Sequence, residues 1–180
     1  MHLTIARGAC AAALAAMGGL ANADVKEAAA DHFVLSYGKT LDVAPAKAYA
    51  AIPAIERWWN GQHTFSGDAA NLAMKAEAGA CFCEKWKDNT VEHARVIMVI
   101  RDQAFRMAGA FGPLQGMAVN AVLSIGTRAE GSGTMLTMVY RVNGVPGSAL
   151  DKLAPDVDQV IGEQFARLAN YAVTGKPTPP

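Results

Sequence analysis

The spacing of apolar positions changes character twice along this chain. Residues 32–41 alternate, with Phe33, Leu35 and Tyr37 on one face and Val34, Ser36 and Gly38 on the other, the period of a half-buried strand. Pro45 then suits the first turn of a helix, and residues 46–54 supply helix formers. Pro53 ends or kinks that helix, so residues 54–59 read as a second short one closing on Trp58-Trp59. Strand-like segments follow at residues 72–76, 80–86, 90–101, 104–110, 117–127 and 134–142, separated by turn signals such as Lys87-Asp88-Asn89 and Glu130-Gly131-Ser132-Gly133. Finally the period becomes helical. Leu150, Leu153, Val157, Ile161, Phe165, Leu168 and Ala172 recur every three or four residues, predicting one long amphipathic helix at about residues 155–173, with Pro155 in its first turn. The order predicts an α+β fold: a curved antiparallel sheet over which the last helix lies, with an apolar cavity between them.

The N-terminal segment stands apart from this pattern. Residues 8–20 form a small-apolar run after Arg7, and Ala21-Asn22-Ala23 offers a small-x-small cleavage site, so residues 1–23 read as a secretion signal. The run is shorter than the roughly 20 apolar residues that span a bilayer. The expectation is an exported protein, periplasmic or secreted, with no stable membrane insertion after cleavage. Residues 24–31 form a polar, alanine-rich lead-in, residues 32–174 one domain, and residues 175–180 a flexible tail.

With 16 basic residues against 16 acidic ones, the chain offers no general attraction to nucleic acid. Of its 3 cysteines, Cys10 lies in the leader, leaving Cys81 and Cys83. On a regular strand both point to one face with alpha carbons roughly 6.5–7 Å apart, at the limit for a bridge, so two free thiols are expected. A metal half-site with His93 is the alternative reading of the pair.

Several local stretches resemble the START-like superfamily, also called SRPBCC, in its polyketide cyclase-like or chaperone-ATPase-activator-like branch. They are Val43-Ala44-Pro45, Ile55-Glu56-Arg57-Trp58-Trp59, Glu77-Ala78-Gly79-Ala80-Cys81-Phe82 and Leu168-Ala169-Asn170-Tyr171. The resemblance covers residues 33–174. It implies the helix-grip fold and a pocket, but no shared catalytic signature.

Candidate pocket residues follow from the faces of the strands. Phe82, Glu84 and Trp86 share one face, read as the cavity side; a carboxylate among aromatics either anchors a polar ligand group or is paired with an arginine. His93, after Glu92 on the next strand, falls near Glu84 by hairpin pairing, where a Glu–His pair can orient a ligand or move protons. Met98, Met107 and Met138 supply adaptable apolar surface, and Phe111 and Tyr140 further wall. Trp58 and Trp59 are adjacent, so one packs inward while the other borders the mouth; Trp58 is the one assigned to the ligand. There is no nucleophile elbow, phosphate-cradling loop or metalloprotease helix, and nothing calls for a cofactor. The leading expectation is a binding protein for a small hydrophobic molecule. The alternatives are a cyclase- or dehydratase-like enzyme using the Glu or His, and a protein-interaction module.

Overall fold

The computed structural model describes residues 24–178. The signal segment read at residues 1–23 lies outside them. Eight strands form one antiparallel sheet: β1 (Asp24–Ala29), β2 (His32–Leu41), β3 (Leu72–Ala73), β4 (Cys81–Trp86), β5 (Asn89–Ile100), β6 (Ala104–Ala108), β7 (Asn120–Glu130) and β8 (Gly133–Asn143). Their order across the sheet is β1-β2-β8-β7-β6-β5-β4-β3. Strand β2 pairs directly with β8, so the early strand closes against the late meander. The polar lead-in contributes β1, the edge strand beside β2.

Helices α1 (Pro45–Ala51) and α2 (Ile55–Trp58) connect β2 to β3, and α3 (Leu150–Thr174) lies across the sheet. Helix α3 begins five residues earlier than its proline suggests. Pro155 sits inside it, where it removes a single backbone donor from the second turn. This α+β arrangement is the helix grip expected from the chain.

Alternation is cleanest on β2, β7 and β8, whose inward residues include Phe33, Leu35, Leu123, Ile125, Leu136 and Met138, all at most 1% exposed. Ile161, Phe165, Leu168 and Ala172 of α3 close over them. These side chains fill the space under the second half of the helix, and the apolar cavity expected between sheet and helix lies toward the helix's first half. Tyr37 reinforces the grip by stacking on Phe165 (centroids 5.5 Å apart) and donating to the Asp158 carboxylate at 2.6 Å.

Two β-bulges break the period on β5. Val96 pairs with Met107 but Met98 pairs with Arg106, so Ile97 is an extra residue and the faces exchange beyond it. On the other side of β5, Phe82 faces Ala94 while Cys83 faces Glu92, leaving His93 as the extra residue. Both His93 and Ala94 consequently turn inward, at 7% and 2% exposure. The backbone of Gly109 runs so close to His93 and Ala94 that no side chain fits there.

Candidate functional site

The bulge at His93 builds a buried polar pair. Strand β4 alternates normally through Phe82 and Glu84, which places both on the inner face, Glu84 fully buried. The inward turn of His93 then brings its Nε2 within 2.9 Å of Glu84 Oε2. The same carboxylate accepts the backbone N–H of Phe65 at 3.0 Å and of Ser66 at 2.5 Å. Burial pushes the Glu84 carboxyl up. The hydrogen bonds from Ser66, the Phe65 N–H and His93 outweigh it and hold the group below the usual carboxylate range. A carboxylate only accepts, so the proton shared with Glu84 sits on Nε2; in the neutral form of the ring Nδ1 then keeps its lone pair. No hydrogen bond to Nδ1 comes from the described residues. Phe82 and Phe65 flank the ring, with centroids 4.9 and 5.8 Å away.

His93 forms part of the wall of a cavity of about 440 Å³. The cavity lies beneath the first half of α3, reaching as far as Ile161. It opens at one end of the grip, between the first half of α3, the 3-10 turn Gly112–Met117 and the loop that follows α2. Leu153, Val157, Val160 and Ile161 face it from the helix, Phe111 and Leu114 from the turn, and Trp59 and Phe65 from the loop. Its polar components are few: His93, His63, Thr64 and the Asp156 at the rim.

The loop over this cavity is fastened at both ends. At its start Asn60 donates its backbone N–H to the buried Gln164 at 2.8 Å and its side-chain amide to Glu163 at 2.6 Å, while Arg167 donates to the Trp58 carbonyl at 2.7 Å. At its far end Phe65 and Ser66 hang from Glu84. The wall opposite is held by Tyr140, whose hydroxyl accepts the Phe111 N–H at 3.1 Å and donates to the Gly109 carbonyl at 3.3 Å. Burial pushes that hydroxyl well above its ordinary range, so it acts as a neutral clamp.

Of the ten candidate positions, His93 and Phe111 line the cavity. Glu84 stands behind His93, and Phe82 and Tyr140 behind the aromatic floor, where Trp59, Phe82 and Phe111 meet with centroids 5.5 to 6.1 Å apart. Met107 and Met138, each 1% exposed, belong to the packed core. Trp58 is fully buried and donates to the Ala51 carbonyl at 3.0 Å; its neighbour Trp59 takes the cavity position instead. Met98 lies on the outer face because of the Ile97 bulge. Trp86 ends β4 beside the hairpin turn, away from the cavity. His63, which follows the tryptophan pair closely in sequence, lines the mouth as its position there suggests, whereas Phe65, Leu114 and Val160 carry no motif. Leu153, Val157 and Ile161 were legible only as a helical stripe.

The expectation of two free thiols is corrected. A disulfide joins Cys81 and Cys83, with alpha carbons 5.3 Å apart. The bulged pairing beside Phe82 accompanies this shortened spacing, which a regular strand does not provide. The sulfurs also lie on the outer face while the His93 imidazole is inside, so the cysteine pair and His93 do not converge on a metal. Glu92 does approach the sulfurs, all three donor atoms lying within 4.8 Å of one another, but sulfurs bonded to each other are not thiolate ligands.

Comparison with known proteins places the fold. The Aha1 dimer structure from Colwellia psychrerythraea superposes with a TM-score of 0.56 at 12% identity, covering 79% of this chain and 98% of that one. The likeness is one of fold. CalU16 from Micromonospora echinospora gives 0.54 at 13% identity, covering 82% and 78%, and Ara h 8.0201 gives 0.54 at 11%, covering 78% and 97%. These neighbours share the helix-grip fold with this chain. No family profile and no curated protein matches the chain. No helix among the described residues is long and apolar enough to cross a membrane.

Proposed function

We propose that this protein is an exported binding protein for a small, largely apolar molecule bearing one hydrogen-bond donor. The observation that carries the reading is the cavity itself: about 440 Å³, walled by aliphatic and aromatic side chains, with the imidazole of His93 set into it. Such a volume suits a one- or two-ring ligand. Apolar burial at roughly 25 cal/mol per Å² supplies the affinity. The Nδ1 of His93 selects a hydroxyl or N–H, and Glu84 keeps the ring in that tautomer. The leader read at residues 1–23 and the Cys81–Cys83 disulfide support export. Native mass spectrometry of the processed protein, followed by fluorescence titration with anilinonaphthalene sulfonate and with 2-naphthol, tests it. Co-purified or titrated ligand, displaced in competition, is the expected result. A protein that carries nothing and binds neither probe overturns the reading.

The Glu84–His93 hydrogen bond also favours a second reading, an enzyme in which Nδ1 accepts a proton from a bound substrate while the carboxylate steadies the imidazolium. Deuterium exchange at an acidic C–H of a bound ligand, abolished by His93→Gln with binding retained, distinguishes it from simple binding.

A further inference from the structure

The disulfide lies on the opposite side of β4 from the cavity and takes no part in it. A structural disulfide earns its stabilisation by joining segments that the unfolded chain keeps apart, and this one closes a loop around Phe82 alone. The hydrogen-bonded strand already holds the two positions together. Both cysteines are half-buried and border an open groove formed by the chain from Ala73 to Lys85. Their register partners differ, Arg95 opposite Cys81 and Glu92 opposite Cys83, and cross-strand partners share a face; the Glu92 carboxylate lies within 4.8 Å of both sulfurs, so Arg95 is what distinguishes the two positions. The Arg95 guanidinium is fixed there by a hydrogen bond to the Gly79 carbonyl at 2.9 Å and by its ion pair with Glu92.

From this placement we infer that Cys81–Cys83 is a site of reversible thiol–disulfide exchange, whose substrates are low-molecular-weight dithiols and their disulfides. In the reducing direction a substrate thiolate attacks Cys83 Sγ. The Cys81–Cys83 bond breaks, a mixed disulfide forms on Cys83, and Cys81, whose register partner is Arg95, leaves as a thiolate. The second substrate thiol, once deprotonated, attacks its own sulfur in the mixed disulfide and expels the Cys83 thiolate. The substrate leaves as a disulfide, oxidised by two electrons. The protein holds two reduced cysteines, and the two protons lost by the substrate thiols balance those the cysteines take up. The reverse sequence reoxidises the pair at the expense of a disulfide.

The test uses the processed, folded protein. Samples are exposed to dithiothreitol with and without urea, quenched with N-ethylmaleimide and weighed by mass spectrometry. The native protein is expected to take up two maleimides at a rate within about threefold of the unfolded one, and to lose that capacity when oxidised dithiothreitol is supplied in excess. Labelling only in urea, or no re-formation of the bond by the native protein, overturns the proposal. Single variants test the direction of attack. The Cys81 left in Cys83→Ser is expected to react with iodoacetamide at neutral pH about tenfold faster than the Cys83 left in Cys81→Ser, with the ratio falling in an Arg95→Gln background. Equal rates, or the reverse order, overturn the assignment of Cys81 as the leaving group.

Discussion

Nε2 of His93 lies 2.9 Å from Oε2 of Glu84, in a pair that is almost wholly removed from solvent. The two residues are nine apart in sequence and meet only because β5 carries an extra residue opposite Phe82. The pair makes stability depend on acid. The Glu84 carboxyl is held below its ordinary value in the folded state, so its contribution is complete above the unfolded value of about 4.3 and is lost as pH falls through the folded one. Glu84→Gln is expected to cost about 3 kcal/mol at neutral pH and to flatten the acid limb of the stability curve. Urea titrations from pH 7 down to pH 3 measure both effects; an unchanged acid limb removes Glu84 from its assigned role.

Gly109 is the backbone counterpart of this arrangement. A methyl group there meets the His93 carbonyl and the Ala94 alpha carbon, neither of which can swing aside. Gly109→Ala is expected to destabilise by about 2–3 kcal/mol and to displace the His93 ring. Thermal unfolding and the imidazole NMR signals report the two consequences separately.

The cavity can be filled without touching its polar pair. Val157 is half-buried on the helical wall. Val157→Trp is expected to weaken binding of an apolar fluorescent probe by at least about tenfold, with little change in thermal stability, since the added ring occupies space meant for ligand. Probe affinity equal to that of the parent protein places the ligand elsewhere.

The strands legible from alternation alone were β2, β7 and β8, where Phe33 to Tyr37 and Leu136 to Tyr140 keep strict period through unbroken registers. The α3 stripe was equally plain. Met98 went astray because an extra residue exchanges the two faces of a strand, and nothing in Arg95-Val96-Ile97-Met98 marks the bulge. His93 was drawn toward Glu84 by hairpin pairing, yet its inward turn comes from the other bulge. The Cys81–Cys83 bond is hidden from the sequence for a related reason, since regular strand rise sets the alpha carbons farther apart than the 5.3 Å found. The cavity lining was the least legible part. It comes from loop residues such as Phe65 and from helix residues such as Val157, whose apolar character reads equally well as core.

One buried group is poorly served. The hydroxyl of Tyr49 on α1 has no hydrogen-bond partner among the described residues. Removing it deletes a desolvation cost and leaves the ring packing in place. Tyr49→Phe is therefore expected to raise stability by about 1 kcal/mol, read as an upward shift in Tm.

Replacing both Cys81 and Cys83 with serine is expected to lower stability by no more than about 2 kcal/mol, because so small a closed loop restrains the unfolded chain little. Equilibrium unfolding of the double variant against the oxidised parent checks this. A far larger loss makes the bond architectural.

The double fastening of the loop after α2 has a consequence for affinity. Asn60 is moored to α3 and Ser66 to β4, so the roof keeps its shape whether or not a guest is beneath it. A ligand then forfeits little entropy in organising its surroundings, and its size and outline, rather than any adjustment by the host, decide whether it is retained.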